Sequence, residues 1–167
     1  MSVPAYIALG SNLGDSRSLI REAAAALATL SSGEVVLSKL YLSTPVDCPP
    51  DSPDFINAVA RIQSLPGETP ESLLIKLQAL EKSFGRAKKI IHNEARPLDL
   101  DLITFGGEIR ETQQLTLPHP RAASRGFVLL PLSDLAPDLV MPGQTKSVTK
   151  LLASLQPGSL PRLSPSE

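Results

Sequence analysis

The chain has 167 residues, with 16 basic and 17 acidic side chains, a formal net charge of −1 at pH 7 and one cysteine, Cys48. That length suits one domain burying about 70% of its unfolded surface, the near-neutral charge argues against a binder of nucleic-acid backbone, and a lone cysteine excludes an internal disulfide or a cysteine-built metal cluster. No run approaches the ~20 apolar residues that cross a bilayer, and the first ten residues show neither a charged leader nor a long apolar stretch, so a soluble cytoplasmic protein with no membrane partner is expected.

In chain order, residues 3–9 form a short apolar run ending at Gly10, a strand signal. Asp15 or Ser16 then caps a helix whose apolar positions Leu19, Ile20, Ala23, Ala24, Leu27 and Leu30 fall at helical spacing. After a turn at 31–33, residues 34–43 alternate as one strand through Val36, Ser38 and Leu40, and a proline-rich loop spans 44–53. Residues 55–62 alternate again. Thr69-Pro70 opens a second helix with the stripe Leu73, Leu74, Leu77 and Leu80, and Gly85 closes it.

The run from Pro97 to Phe105 follows. Strict alternation puts Asp99 and Asp101 on one face and Leu98, Leu100 and Leu102 on the other, with the carboxylates roughly 6.6 Å apart at the backbone. Such a face could simply be solvated. Two hard oxygen ligands with few nitrogen or sulfur donors nearby in sequence favour Mg²⁺, which keeps waters and takes further ligands from phosphates. Residues 85–96, just upstream, hold five potentially cationic side chains: Arg86, Lys88, Lys89, His92 and Arg96. Cations beside a metal site point to a polyphosphate, with a solvated loop or a nucleic-acid patch as alternatives.

The order strand, helix, strand, strand, helix, strand predicts an α+β protein, a ferredoxin-like βαββαβ sandwich with a mainly antiparallel sheet, helices on one face and C-terminal additions from Leu115 onward. One domain is expected over 1–155, with a Pro/Ser-rich tail, 156–167, that frays. Fold class alone leaves function open.

Several motifs recur in order: Gly10-Ser11-Asn12-Leu13-Gly14, Ser43-Thr44-Pro45, Pro53-Asp54-Phe55-Ile56-Asn57-Ala58, Leu80-Glu81, Gly85-Arg86, Arg96-Pro97-Leu98-Asp99-Leu100-Asp101, Leu117-Pro118-His119-Pro120-Arg121 and Arg125-Gly126-Phe127. Together they resemble the 6-hydroxymethyl-7,8-dihydropterin pyrophosphokinases over roughly residues 3–142. The resemblance implies a folate-pathway enzyme that moves the terminal two phosphates of ATP as one unit onto the hydroxymethyl oxygen of the pterin, releasing AMP; a monomer is expected. It implies two Mg²⁺ ions on Asp99 and Asp101, and triphosphate contacts from Arg86, Lys88 and Arg96, with Leu102, His119 and Arg125 also on the nucleotide; Arg86, Arg96 and both aspartates form the catalytic set. It places the pterin between Phe55 and Phe127, read by Asn57 and rimmed by Thr44, Pro45 and Val46.

Asn93, Pro120 and Asp47 depart from the family pattern. Asn12 stands as a further pterin-side contact, while Glu81, Lys89 and Arg121 read as surface charges. The chemistry expected is direct in-line attack on the β-phosphorus without a general base, with loops 44–53 and 85–96 closing over ATP. A non-catalytic binding module would bind ATP without turnover, and an ordinary kinase or nucleotidyl transferase would differ in its products.

Overall fold

The computed structural model describes residues 2–12, 15–43, 55–85, 98–156 and 160–163. Strand β1 (Pro4–Ser11) leads to α1 (Ser16–Ala26), where Asp15 is the cap, its carboxylate accepting the Ser18 N–H at 3.3 Å. A 3₁₀ turn, Leu27–Leu30, extends the helix. The single strand expected over 34–43 is instead two, β2 (Val36–Leu37) and β3 (Tyr41–Ser43). Both pair with β4 (Phe55–Gln63), but Leu37 opposes Ala60 whereas Tyr41 opposes Asn57, so one extra residue is accommodated between them. Ser38 stabilises this bulge: its backbone N–H donates to the Val59 carbonyl and its hydroxyl accepts the Val59 N–H, both at 2.9 Å.

Helix α2 (Pro70–Ser83) begins in a capping box formed by Thr69 and Ser72, with proline in its first turn. It ends at Gly85, whose φ of 93° is a left-handed conformation that glycine adopts without penalty. Strand β5 (Asp99–Phe105) then pairs with β1. The main sheet is antiparallel throughout, in the order β5-β1-β4-β3-β8, where β8 is Arg162–Leu163, with β2 also on β4. A small ribbon joins β6 (Arg110–Glu111) to β7 (Thr116–Leu117), and the chain continues through a 3₁₀ turn (Ala122–Ser124), α3 (Gly126–Leu135) and α4 (Val148–Ala153). Within the segment expected to fray, Arg162 and Leu163 form β8 against β3.

The architecture is α+β, with helices on both faces of the sheet. Under α1 and α2, Ile7, Leu9, Ala58, Leu98, Leu100 and Leu102 pack with Ile20, Leu27, Leu73 and Leu77. On the opposite face Tyr6, Val59 and Ile103 pack with Val128, Leu129 and Leu132 of α3 and Val148 and Leu151 of α4. The C-terminal additions therefore supply a second helical layer. Tyr41 links that layer to β3, its hydroxyl donating to Asp134 of α3 at 2.9 Å. The Lys39 N–H donates to the same carboxylate at 3.2 Å.

Candidate active site

Alternation along three neighbouring strands builds the site. On β5, Asp99 and Asp101 point away from the Leu98, Leu100 and Leu102 core and share a face with Ile103. Asp99 lies opposite Gly10 of β1, and Gly10 lies opposite Asn57 of β4. At about 4.8 Å between strands, Asp99 and Asn57 stand about 10 Å apart at the backbone across a glycine floor. Next along the sheet, Asp101 opposes Ala8, and Ala8 opposes Val59, where the α3 layer begins. Thus α3 and α4 cover one half of this face, and the half-exposed aspartates lie at its margin.

A bulge in β5 brings His119 to this margin. The β1–β5 register shifts between Tyr6 and Ile7, one residue being added on β5, and the Ile103 carbonyl accepts the His119 backbone N–H at 2.9 Å. The His119 Nδ1 accepts the Arg121 N–H at 3.2 Å, leaving Nε2 as the donor of the neutral ring. Burial, followed by the charges of Arg125 and Arg121, lowers the His119 pKa below its usual 6.5, against a smaller opposing pull from Asp99. Arg125 shows the same neighbourhood: burial and Arg121 lower its pKa, while Asp101 and Asp99 act in the opposite direction. Its Cζ lies 5.3 Å from the centre of the Phe127 ring.

The fold thus brings Asp99, Asp101, Asn57, His119 and Arg125 to one face, with Phe55 two residues before Asn57 on β4 and Phe127 in the first turn of α3. Leu102 is different: only 3% exposed, its side chain is packed in the core on the opposite face. Asn12 is buried and Arg121 is exposed. Thr44, Pro45, Val46, Asp47, Cys48, Arg86, Lys88, Lys89, Asn93 and Arg96 lie outside the described residues, as do most of both loops expected to close.

Two comparisons in sequence identify the family. A profile described as 7,8-dihydro-6-hydroxymethylpterin-pyrophosphokinase (HPPK) matches residues 6–137. The chain belongs to this family. It is similar to the 2-amino-4-hydroxy-6-hydroxymethyldihydropteridine pyrophosphokinase of Haemophilus influenzae, at 38% identity over 98% of this chain and 99% of that one. It is also similar to the protein of the same name from Pseudomonas aeruginosa, at 40% identity over 89% and 90% of the two chains. Among solved structures, it shares its fold with a crystal structure of HPPK-DHPS in complex with substrates, at a TM-score of 0.69 and 12% identity. The match covers 92% of this chain and 45% of that longer one. Every described candidate residue falls within the pyrophosphokinase match, whereas α4 and β8 lie beyond it.

Glu81 corrects the sequence reading. Expected at the surface, it is 6% exposed, and its Oε2 accepts the Leu100 N–H at 2.8 Å, between the two aspartates in sequence. The signal was present in the pattern, because Leu73, Leu77 and Glu81 repeat at intervals of four and so share the buried face of α2. A carboxylate there caps an amide of β5, an edge strand of the sheet.

Proposed function

We infer that this chain catalyses the reaction for which its family is named, transferring the terminal pyrophosphoryl group of ATP to the hydroxymethyl oxygen of 6-hydroxymethyl-7,8-dihydropterin and releasing AMP, in folate biosynthesis. The observation that carries this reading is the row Asp99, Gly10, Asn57 across one sheet face, with His119 and Arg125 at its margin. It offers carboxylates at one end and an amide that can read a heterocycle at the other.

The aspartates fit Mg²⁺ by their donor chemistry. Among the described residues no group of three or more His, Cys, Asp or Glu side chains could hold a metal, so two carboxylates would leave the remaining positions to water and phosphate oxygens, as magnesium prefers. Asp99 and Asp101 would hold two such ions, which when bound would neutralise negative charge on the phosphates.

The chain's own residues supply alignment and charge. His119 donates from Nε2, and Arg125 contributes a guanidinium, to the anionic phosphates. Arg86, Lys88 and Arg96 add cations from the loop before β5, and the Leu102 backbone, rather than its buried side chain, borders the nucleotide. Phe55 and Phe127 hold the flat ring, with Arg125 against the Phe127 ring, Asn57 reading the ring's polar edge and Thr44, Pro45 and Val46 forming the rim. The substrate hydroxyl attacks the β-phosphorus in line, its proton passing to solvent water, and AMP departs with the bridging oxygen; no side chain acts as the base, since positioning dominates phosphoryl transfer. The protein acts as a cytoplasmic monomer with a single domain over 1–155 and takes no nucleic acid.

Incubation with Mg²⁺, ATP and the pterin alcohol tests the reading by chromatography. AMP and pterin pyrophosphate should appear in equal amounts. Release of ADP would point to an ordinary kinase, pyrophosphate to a nucleotidyl transferase, and ATP binding without products to a binding module.

A further inference from the structure

Ser43 ends β3 diagonally across from Asn57, and the Asn57 Nδ2 donates to its hydroxyl oxygen at 2.6 Å. This bond uses one of the two amide hydrogens and fixes which end of the amide faces the floor of the site. The other end, Oδ1, points to Gly10: a Cβ built there would lie 3.6 Å from Oδ1 and 3.9 Å from the Phe55 ring. Asn57 is 6% exposed, so solvent offers its amide little competing hydrogen bonding. Gly10 lies on a regular strand, and the contacts of its added methyl would be ordinary, so the backbone itself does not demand glycine. What glycine leaves is room for a methyl-sized group beside an oriented acceptor.

We propose that Ser43 is a positioning residue that holds the Asn57 amide with its oxygen over Gly10, so that the site selects a ring edge carrying N–H donors over one carrying carbonyl oxygens. The proposal rests on the pterin reading above and extends it to specificity. A freely rotating amide would offer NH₂ as readily as oxygen, and an unpaired polar edge in a closed site is the basis of strong discrimination. Ser43 fixes that choice without touching the ring, and Gly10 keeps the oxygen accessible.

The test compares wild type, Ser43→Ala, Ser43→Thr and Gly10→Ala, using the 2-amino pterin alcohol and its 2-oxo analogue, in which an amine donor becomes a carbonyl. Ser43→Ala should raise KM for the amino substrate about fivefold to tenfold, leave KM for ATP unchanged, and reduce the amino-over-oxo preference by a similar factor. Ser43→Thr, which keeps the hydroxyl, should return both values to within about twofold of wild type. Gly10→Ala should raise KM for the pterin about tenfold with an unchanged melting temperature. Wild-type preference in Ser43→Ala, or a threonine variant as impaired as alanine, overturns the assignment; so does an unchanged pterin KM in Gly10→Ala, which also serves if a Ser43 variant fails to fold. A wild-type protein that binds no pterin overturns the functional reading together with this proposal, whereas turnover with unaltered variants overturns this proposal alone.

Discussion

The two faces of the sheet use the same strands for opposite ends. Beneath α1 and α2, Leu98, Leu100 and Leu102 close an apolar core with Ile7, Leu9, Leu73 and Leu77. On the other face α3 and α4 cover Tyr6, Val59 and Ile103, and at the edge of that cover stand Asp99 and Asp101, with Gly10 and Asn57 across from Asp99. Strand β5 therefore divides by parity, Leu98, Leu100 and Leu102 holding the fold while Asp99 and Asp101 face the proposed site. Neighbouring substitutions on the two sides should fail in different ways.

The largest effect is expected at the aspartates. Asp99→Ala or Asp101→Ala should lower kcat by about a thousandfold or more while thermal unfolding stays close to wild type. Retention of wild-type turnover by either would erase the distinction between the faces. The core face should show the reverse: Leu77→Ala, at a fully buried position, should cost about 2–5 kcal/mol in denaturant unfolding yet leave activity per folded molecule unchanged. Glu81→Ala sharpens the boundary between them, because its carboxylate belongs to the core side but bonds the strand that carries the site. Loss of that acceptor should cost about 1–3 kcal/mol and speed hydrogen exchange at the Leu100 amide.

The smallest effect concerns the attachment of α3. Burial, then the hydrogen bond to Asp134 and that residue's charge, push the Tyr41 pKa up from 10.0 to about 12. The folded state thus holds this proton more tightly than the unfolded chain. The contribution is complete below pH 10 and is lost as pH rises from 10 towards 12. Stability measured across that window should fall in the wild type and fall less in Tyr41→Phe. Equal slopes would show that this tyrosine does not report the link between β3 and α3.

Much of this was legible in the sequence because it is local. The Asp and Leu alternation of β5, the Thr69-Pro70 start and Gly85 end of α2, and the Asp15 cap each depend on neighbours within a few residues. The misread features depend on contacts distant in sequence. Residues 34–43 alternate like one strand, but the Ser38 hydroxyl takes an amide of β4 and splits it. Helix α3 is apolar nearly all round and contains Pro131, which obscures both amphipathic period and helix propensity, so the second layer did not announce itself. The charge of Glu81 hides its place on a buried stripe, and the parity that puts the Leu102 side chain in the core leaves only its backbone for the nucleotide.

Amide NMR with Mn²⁺ in place of Mg²⁺ and a non-hydrolysable ATP analogue would locate the chemistry on the Asp99 and Asp101 face or away from it. Line broadening should be strongest at Asp99, Asp101 and Gly10, extend to His119 and Arg125, and weaken through the sheet towards Ala23 and Leu73. Broadening centred on α1 and α2, or none along β5, would put the metal and the chemistry elsewhere.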